Sequence, residues 1–284
     1  MTVNCTSRHA THPADYARYD MQQLKDHYLV NGLFRDDEIN FVYTHYDRLM
    51  VGGAKPVNGG LKLDTIDLLK APYFLERREL GAINVGGPGY VEVDGERYEL
   101  GYKDALYVGA GNENVVFHSA DAAKPAKYYL NSAPAHTAYP TKRITLADAD
   151  KMALGAPETS NERVINKLIV NSVLDSCQLQ MGMTELKTGS VWNTMPAHTH
   201  DRRMEAYFYF ELPEGNAVCH FMGPKDETRH VWLLNEQAVV SPPWGIHSGA
   251  GTSNYTFIWG MAGENLDYAD MDTIHPTDFG EPEA

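Results

Sequence analysis

Hydrophobic positions follow a helical period only near the start of the chain, and short alternating β-prone runs dominate the rest. Between Pro13 and Asn31, the residues Tyr16, Met21, Leu24, Tyr28 and Leu29 recur near the helical period. Pro13 stands in front and Gly32 behind, which predicts one N-terminal helix. INFVY and DRLMVGG then read as strands, and residues 74 to 120 alternate β-prone runs with glycine-rich turns in the manner of a meander. Asp94-Gly95, set between VEV and ERYEL, is a two-residue hairpin signal, because a type I′ turn needs positive φ at both central positions. Residues 133–161 are rich in Ala, Pro, Thr and Asp and break the strand pattern, so they read as a crossover with a boundary near 150. Beyond Lys167 the runs KLIV, SCQLQMGMTEL, EAYFYFEL, AVCHFMG, RHVWLL, QAVVSP and YTFIWG return, separated by turn residues. Runs at this spacing predict a small sandwich or barrel. The expected fold class is all-β with a few short helices, in two domains, 1–150 and 151–284.

A length of 284 residues agrees with two domains, and 43% hydrophobic against 22% charged residues is enough to build real cores. The formal charge of −14, from 38 acidic and 24 basic residues, would repel a phosphate backbone, so no nucleic-acid partner is expected. Cys5, Cys177 and Cys219 form no CxxC pair, which argues against a disulfide framework and against a cysteine-built zinc site. No signal-peptide core and no membrane-length apolar run is seen, so the expectation is a soluble, cytoplasmic protein without a membrane partner. Neither a GxSxG elbow nor a Walker motif occurs, and GGPG at 86–89 reads as a strand turn rather than a phosphate loop.

The candidate chemistry lies in His198-Thr199-His200, Glu205 and the later Pro243-Trp244-Gly245-Ile246-His247. Histidines two apart on a strand face the same way, and a neighbouring strand headed by Glu205 could set its carboxylate beside them. His247 would complete a set of three imidazoles and one carboxylate, donors suited to a borderline divalent metal such as Zn, Fe, Mn, Co or Ni. By parity, Trp192 and Thr194 share the face of His198, and Tyr207 and Tyr209 that of Glu205, so all four could line a pocket, although for any one of the aromatics barrel-core packing is the commoner role. Arg202 and Arg203 are the first candidates to bind a substrate carboxylate, with Arg163 and Arg229 behind them. Glu76, Arg77, Arg78 and Glu79 read as an interdomain or subunit salt-bridge network rather than catalytic groups. Met181, Met183 and Met204 read as core fillers.

These motifs resemble those of the cupin superfamily, which pairs HxH and Glu with a later Pro, Gly and His. Four residues rather than three separate His200 from Glu205, and Gly245 is one residue closer to His247 than is usual. The first half is also similar to a cupin through Glu79, with six residues between it and Gly86, and YVGAGNEN, but Phe74 and Asn114 stand where metal histidines would fall. The resemblance therefore implies a bicupin in which only the C-terminal domain holds metal.

Longer strings narrow the resemblance. YFLERRELGAINVGG, NSAPAHTAYPTK, TSNERVINK, VWNTMPAHTHDRRMEAYFYF, NEQAVVSPPWGIHSG and YTFIWGMAGEN closely resemble the family of 5-dehydro-4-deoxy-D-glucuronate isomerases, from about Leu24 to Met271. That resemblance implies an aldose-ketose isomerase of pectin and uronate breakdown, assembled as a homohexamer. It also implies one Zn2+ per chain on His198, His200, Glu205 and His247, and a small deoxy-keto-uronate as substrate. The implied product is 3-deoxy-D-glycero-2,5-hexodiulosonate, with proton transfer and hydride shift as competing routes. The same motifs leave two other classes open, a metal-dependent cupin dioxygenase and a non-catalytic sugar-binding cupin.

Overall fold

A computed structural model describes residues 3–279. The predicted N-terminal helix is in fact two, Pro13–Tyr16 and Met21–Tyr28. The break has a local cause: the Asp20 carboxylate accepts from the Gln23 backbone N–H at 2.8 Å, and the Gln23 side chain accepts from the Asp20 N–H at 2.9 Å. This reciprocal capping box starts a new helix at Met21. The second helix ends before Asn31 because Leu29–Val30 turns extended and pairs with Val239 and Ala238.

The chain forms two compact units. The described residues up to Arg8, with Gly32–Asp150 and Lys167–Met181, make one, and His9–Asn31, Lys151–Asn166 and the chain from Gly182 onward make the other. Two segments thus stand apart from a simple division at 150. The N-terminal helices go with the second unit, where the Leu29–Val30 strand and a hydrogen bond from the Tyr16 hydroxyl to the Met222 carbonyl (2.9 Å) hold them.

In the first unit a seven-stranded sheet runs in the order Val3–Arg8, Ile39–Thr44, Met50–Ala54, Tyr128–Pro134, Arg78–Asn84, Ala105–Val108, Lys142–Ile144. A four-stranded sheet, Leu61–Lys62, Val115–Ser119, Gly89–Val93, Glu96–Leu100, supplies the other layer. Phe41, Leu80 and Leu106 from the first layer join Val91 and Phe117 from the second in one buried cluster, so the layers pack face to face. The hairpin at Asp94-Gly95 forms as the sequence predicts, with φ of 47° and 90°. Val3–Arg8 is a parallel partner of Ile39–Thr44 that the hydrophobic pattern does not announce.

The Glu76 to Glu79 stretch is not one salt-bridge network. Arg77 and Glu76 make an exposed pair at 3.3 Å, while Arg78 donates to the Ser132 and Arg48 carbonyls. Glu79 is fully buried and accepts four hydrogen bonds, from the Tyr107 hydroxyl (2.7 Å) and the backbone N–H groups of Cys177, Gln178 and Leu179 (2.7, 2.8 and 2.7 Å). Its carboxylate staples the 177–179 loop to the strand Arg78–Asn84. Glu79→Gln replaces an acceptor oxygen by an NH2 that faces donors, so we expect urea unfolding to show a loss of about 2–4 kcal/mol.

The second unit repeats the arrangement. Its large sheet runs Asp150–Leu154, Arg163–Ile169, Gln180–Leu186, Thr256–Gly263, Arg203–Phe210, Gln237–Ser241, Leu29–Val30. The smaller one runs Trp192–Asn193, Ile246–Gly251, Val218–Gly223, Arg229–Leu233, and a two-stranded ribbon joins His198–Thr199 to Asp272–Thr273. The protein is mainly β, with few and short helical segments. Among the described residues no helix is long and apolar enough to cross a membrane.

Candidate metal centre and its cavity

Three strands of the second unit carry the four candidate ligands to one point. Glu205 lies on the central strand Arg203–Phe210, whose neighbours on both sides bury it, opposite Ser241 and Met261. His247 lies on Ile246–Gly251 opposite Met222, and His198 on the short ribbon opposite Thr273. His200 follows the ribbon, so it reaches the set from a turn rather than by strand parity. One donor atom from each of the four residues lies within 4.8 Å of every other, and all four residues are buried.

Hydrogen bonds fix which ring nitrogens point inward. His200 Nδ1 donates to the Arg203 carbonyl at 2.8 Å, so in the metal-binding tautomer Nε2 is a bare lone pair. That lone pair stands 3.1 Å from Glu205 Oε2, and His247 Nε2 stands 2.8 Å from the same oxygen. His198 Nε2 lies 3.0 Å from His247 Nε2. Ser241 Oγ, 3.3 Å from His247 Nδ1, accepts from it in the tautomer that turns Nε2 inward. Lone pairs crowded this closely repel unless a cation lies among them. Ligand distances of about 2.1 Å would put adjacent donors about 3 Å apart, so the donor set fits a divalent metal ion.

The local electrostatics agree. Burial, and next the His247 ring, push His198 down to about 3, so this imidazole is neutral. Burial alone would raise the Glu205 carboxyl, but positive charge at the His247 and His200 rings and hydrogen bonds donated from them outweigh it and hold the group well below the usual carboxylate range, so the site favours positive charge beside the carboxylate, which a bound cation would supply in their place. Burial lifts the Tyr207 phenol well above its ordinary value, and the Glu205 charge adds to the rise.

Beside the ligands lies a cavity of about 380 Å3, lined by residues of the second unit. His198 and Glu205 reach it, and Ile165, Phe257, Trp259 and Met261 give it apolar walls. Trp259 can lie flat there because Gly182 has no side chain: a Cβ at that position would stand 2.1 Å from the indole.

The pocket candidates divide. Tyr207 lines the cavity, and its hydroxyl lies 2.9 Å from that of Thr194, which lines it as well. Tyr209 sits deeper, bonded at 2.8 Å to Nδ1 of the buried His220, and is not part of the wall. Trp192 departs from the parity expectation, because its strand ends at Asn193, and it borders a different hollow. Neither of the leading arginines is free for substrate. The Arg202 guanidinium grips Asp270 through Nε (3.1 Å to each oxygen) and Asp272 through Nη2 (2.8 Å). Arg203 is fully buried and donates to the Asp270 carbonyl, while its own carbonyl orients His200. Arg229 is held by the Tyr19 carbonyl and Glu227. Arg163, the weaker candidate from sequence, is the arginine that lines the cavity. The 265–273 segment, whose Asp270 anchors both Arg202 and Arg203, carries no sequence signal that marks this role.

The profile of the KduI/IolB family matches residues 36–276. A curated relative from Formosa agariphila, named 4-deoxy-L-threo-5-hexosulose-uronate ketol-isomerase, is 61% identical over 279 residues, covering 98% of this chain and 100% of its own. A relative of the same name from Lachnoclostridium phytofermentans is 55% identical, covering 96% and 99%. Among solved structures, an IolB-like protein from Salmonella typhimurium superposes with a TM-score of 0.65 at 17% identity, over 80% of this chain and 87% of that one. At that identity the likeness shows the fold alone.

Proposed function

The chain belongs to the KduI/IolB family, and from that membership we propose that it interconverts 5-dehydro-4-deoxy-D-glucuronate and 3-deoxy-D-glycero-2,5-hexodiulosonate in uronate breakdown. The observation that carries the proposal is the convergence of three imidazoles and one carboxylate beside a cavity, in a chain 61% identical to a relative named for this ketol-isomerisation. His198, His200, Glu205 and His247 would hold one zinc ion per chain, and each unit is read as a cupin, with metal in the second only. We further propose a homohexamer that works in the cytoplasm.

The reaction moves a proton from C2 to C1 and a hydroxyl proton from O2 to O1, so no oxidant or reductant is consumed. A divalent ion bound by the four ligands supplies Lewis-acid polarisation of a carbonyl beside the carbon that loses its proton. The chain's own hydroxyls serve the proton that passes from O2 to O1. The Tyr207 and Thr194 hydroxyls, 2.9 Å apart, form a neutral pair that can give a proton to one substrate oxygen and take it from the next. The raised Tyr207 phenol stays protonated near neutrality, which suits a donor rather than a phenolate base. Apolar walls keep bulk water from the reacting carbons.

The test follows freshly made substrate by NMR with purified protein, chelator-treated protein and the same sample restored with zinc. We expect turnover to vanish on chelation and to return with zinc, and solvent deuterium to enter at the substrate's C1. Absence of turnover in all three samples would overturn the proposal, and turnover without deuterium would replace proton transfer by a hydride shift.

A further inference from the structure

We infer that Arg163 binds the carboxylate end of the substrate and sets the preference of the cavity for acids over neutral sugars. The inference rests on the functional reading above and concerns the same cavity. Its starting point is charge. Among the residues that line the cavity, the side chains that carry a full charge are Arg163 and Glu205. The Glu205 charge is committed to the His200 and His247 rings. No such partner meets Arg163. Its Nη1 donates to the Asn161 carbonyl at 3.0 Å, its Nε is shut away from solvent without a hydrogen-bond partner among the described residues, and no carboxylate there forms an ion pair with it.

A half-buried guanidinium in an apolar cavity without a counter-ion costs desolvation that only an anion returns. The other candidate arginines differ: Arg202 holds two carboxylates and Arg229 one, while Arg203, whose Nε and Nη1 also lack a partner among the described residues, does not line the cavity. The guanidinium fork also matches a carboxylate, which can take two parallel N–H bonds, one from the waiting Nε.

The arrangement gives the substrate a direction. Tyr207 and Tyr268 line the same cavity as Arg163, and Tyr207 in turn packs 5.3 Å from the His247 ring, centroid to centroid. Tyr207 therefore touches the ligand cluster and borders the cavity that Arg163 lines. An open six-carbon uronate lying along it would carry its carboxylate at Arg163 and its C1 and C2 at the ligand cluster. A neutral hexose derivative would meet the same walls and leave the guanidinium unpaired, a penalty rather than a mere lack of gain.

Calorimetric titration of the zinc-loaded protein with D-gluconate and with D-glucitol tests this without turnover, since the two differ at a single terminal group. We expect wild type to prefer gluconate, Arg163→Lys to keep part of that preference, and Arg163→Gln to erase it, with gluconate affinity down about tenfold or more. On the uronate, kcat/KM of Arg163→Gln should fall about 100-fold, mainly through KM, with zinc content unchanged. A gluconate preference that survives in Arg163→Gln, or that is missing from wild type, overturns the inference. Should wild type bind gluconate through Arg163 yet fail to turn over the uronate, the functional reading falls and the carboxylate site stands.

Discussion

A His200→Ala chain is expected to purify with less than about a tenth of an equivalent of metal and to lose about 10⁴-fold or more in kcat, while its far-UV spectrum stays that of a β protein. His200 is chosen because its orientation is the most constrained of the four. The Arg203 carbonyl takes its Nδ1 proton, and Nε2 is left facing the Glu205 oxygen. Alanine removes that donor and lets the Glu205 carboxylate keep only its contact with His247. The control is His220→Gln. His220 is as deeply buried as the ligands and within 5.7 Å of the Tyr207 ring, yet its Nδ1 is bonded to Tyr209 and it contributes no atom to the convergent set. Metal content by emission spectroscopy should stay near one per chain in that variant. Equal metal loss in both would mean that packing of the barrel interior, rather than the donor set, controls occupancy.

The contrast between His200 and His220 shows what sequence could and could not reveal. HxH, the Glu five residues on and the later PWGIH mark four residues that the fold brings within 4.8 Å, because strand order across a small barrel is enough to gather ligands from separated motifs. Parity gave the inward face of Glu205, Tyr207 and Tyr209, since the strand Arg203–Phe210 is regular throughout. It failed for Trp192, where the strand stops after two residues and period-two reasoning has nothing to act on. The arginines stand apart in the fold for a different reason. Adjacency to HxH favoured Arg202 and Arg203, but what decides availability is a partner, and Asp270 lies 68 residues from Arg202 along the chain. Nothing local announces such a pairing, nor that Arg163 rather than Arg203 lines the cavity, so both emerge only in three dimensions. Likewise, Asp20 and Gln23 could be read as a capping box, but helical spacing on both sides of it concealed the break. Glu79 holds the place of a metal ligand in the motif, and only the folded chain shows its carboxylate filled by four donors.

Two tyrosines, one strand pitch apart, should respond in opposite ways to loss of a single oxygen. Tyr207→Phe is expected to lower kcat about 10³-fold, with KM within about threefold and full zinc content, if the phenol gives and retakes the hydroxyl proton. The substitution keeps the ring that packs 4.6 Å from Phe257, so stability should hardly change, and the Thr194 hydroxyl it leaves behind borders the cavity. Tyr209→Phe removes a hydroxyl that never meets the cavity. It strips the buried His220 Nδ1 of its partner at 2.8 Å, so the cost should appear as about 1–3 kcal/mol in urea unfolding with kcat within about threefold. Burial pushes His220 down to about 3, so it stays uncharged and cannot recover the loss by taking up a proton near neutral pH. Thr194→Val separates the remaining possibilities. If Tyr207 acts through the hydroxyl pair, this variant should share the kcat defect and the unchanged metal content. Full activity in Thr194→Val with a defect in Tyr207→Phe would make the phenol a lone donor, and full activity in both would move proton handling to another group of the cavity wall.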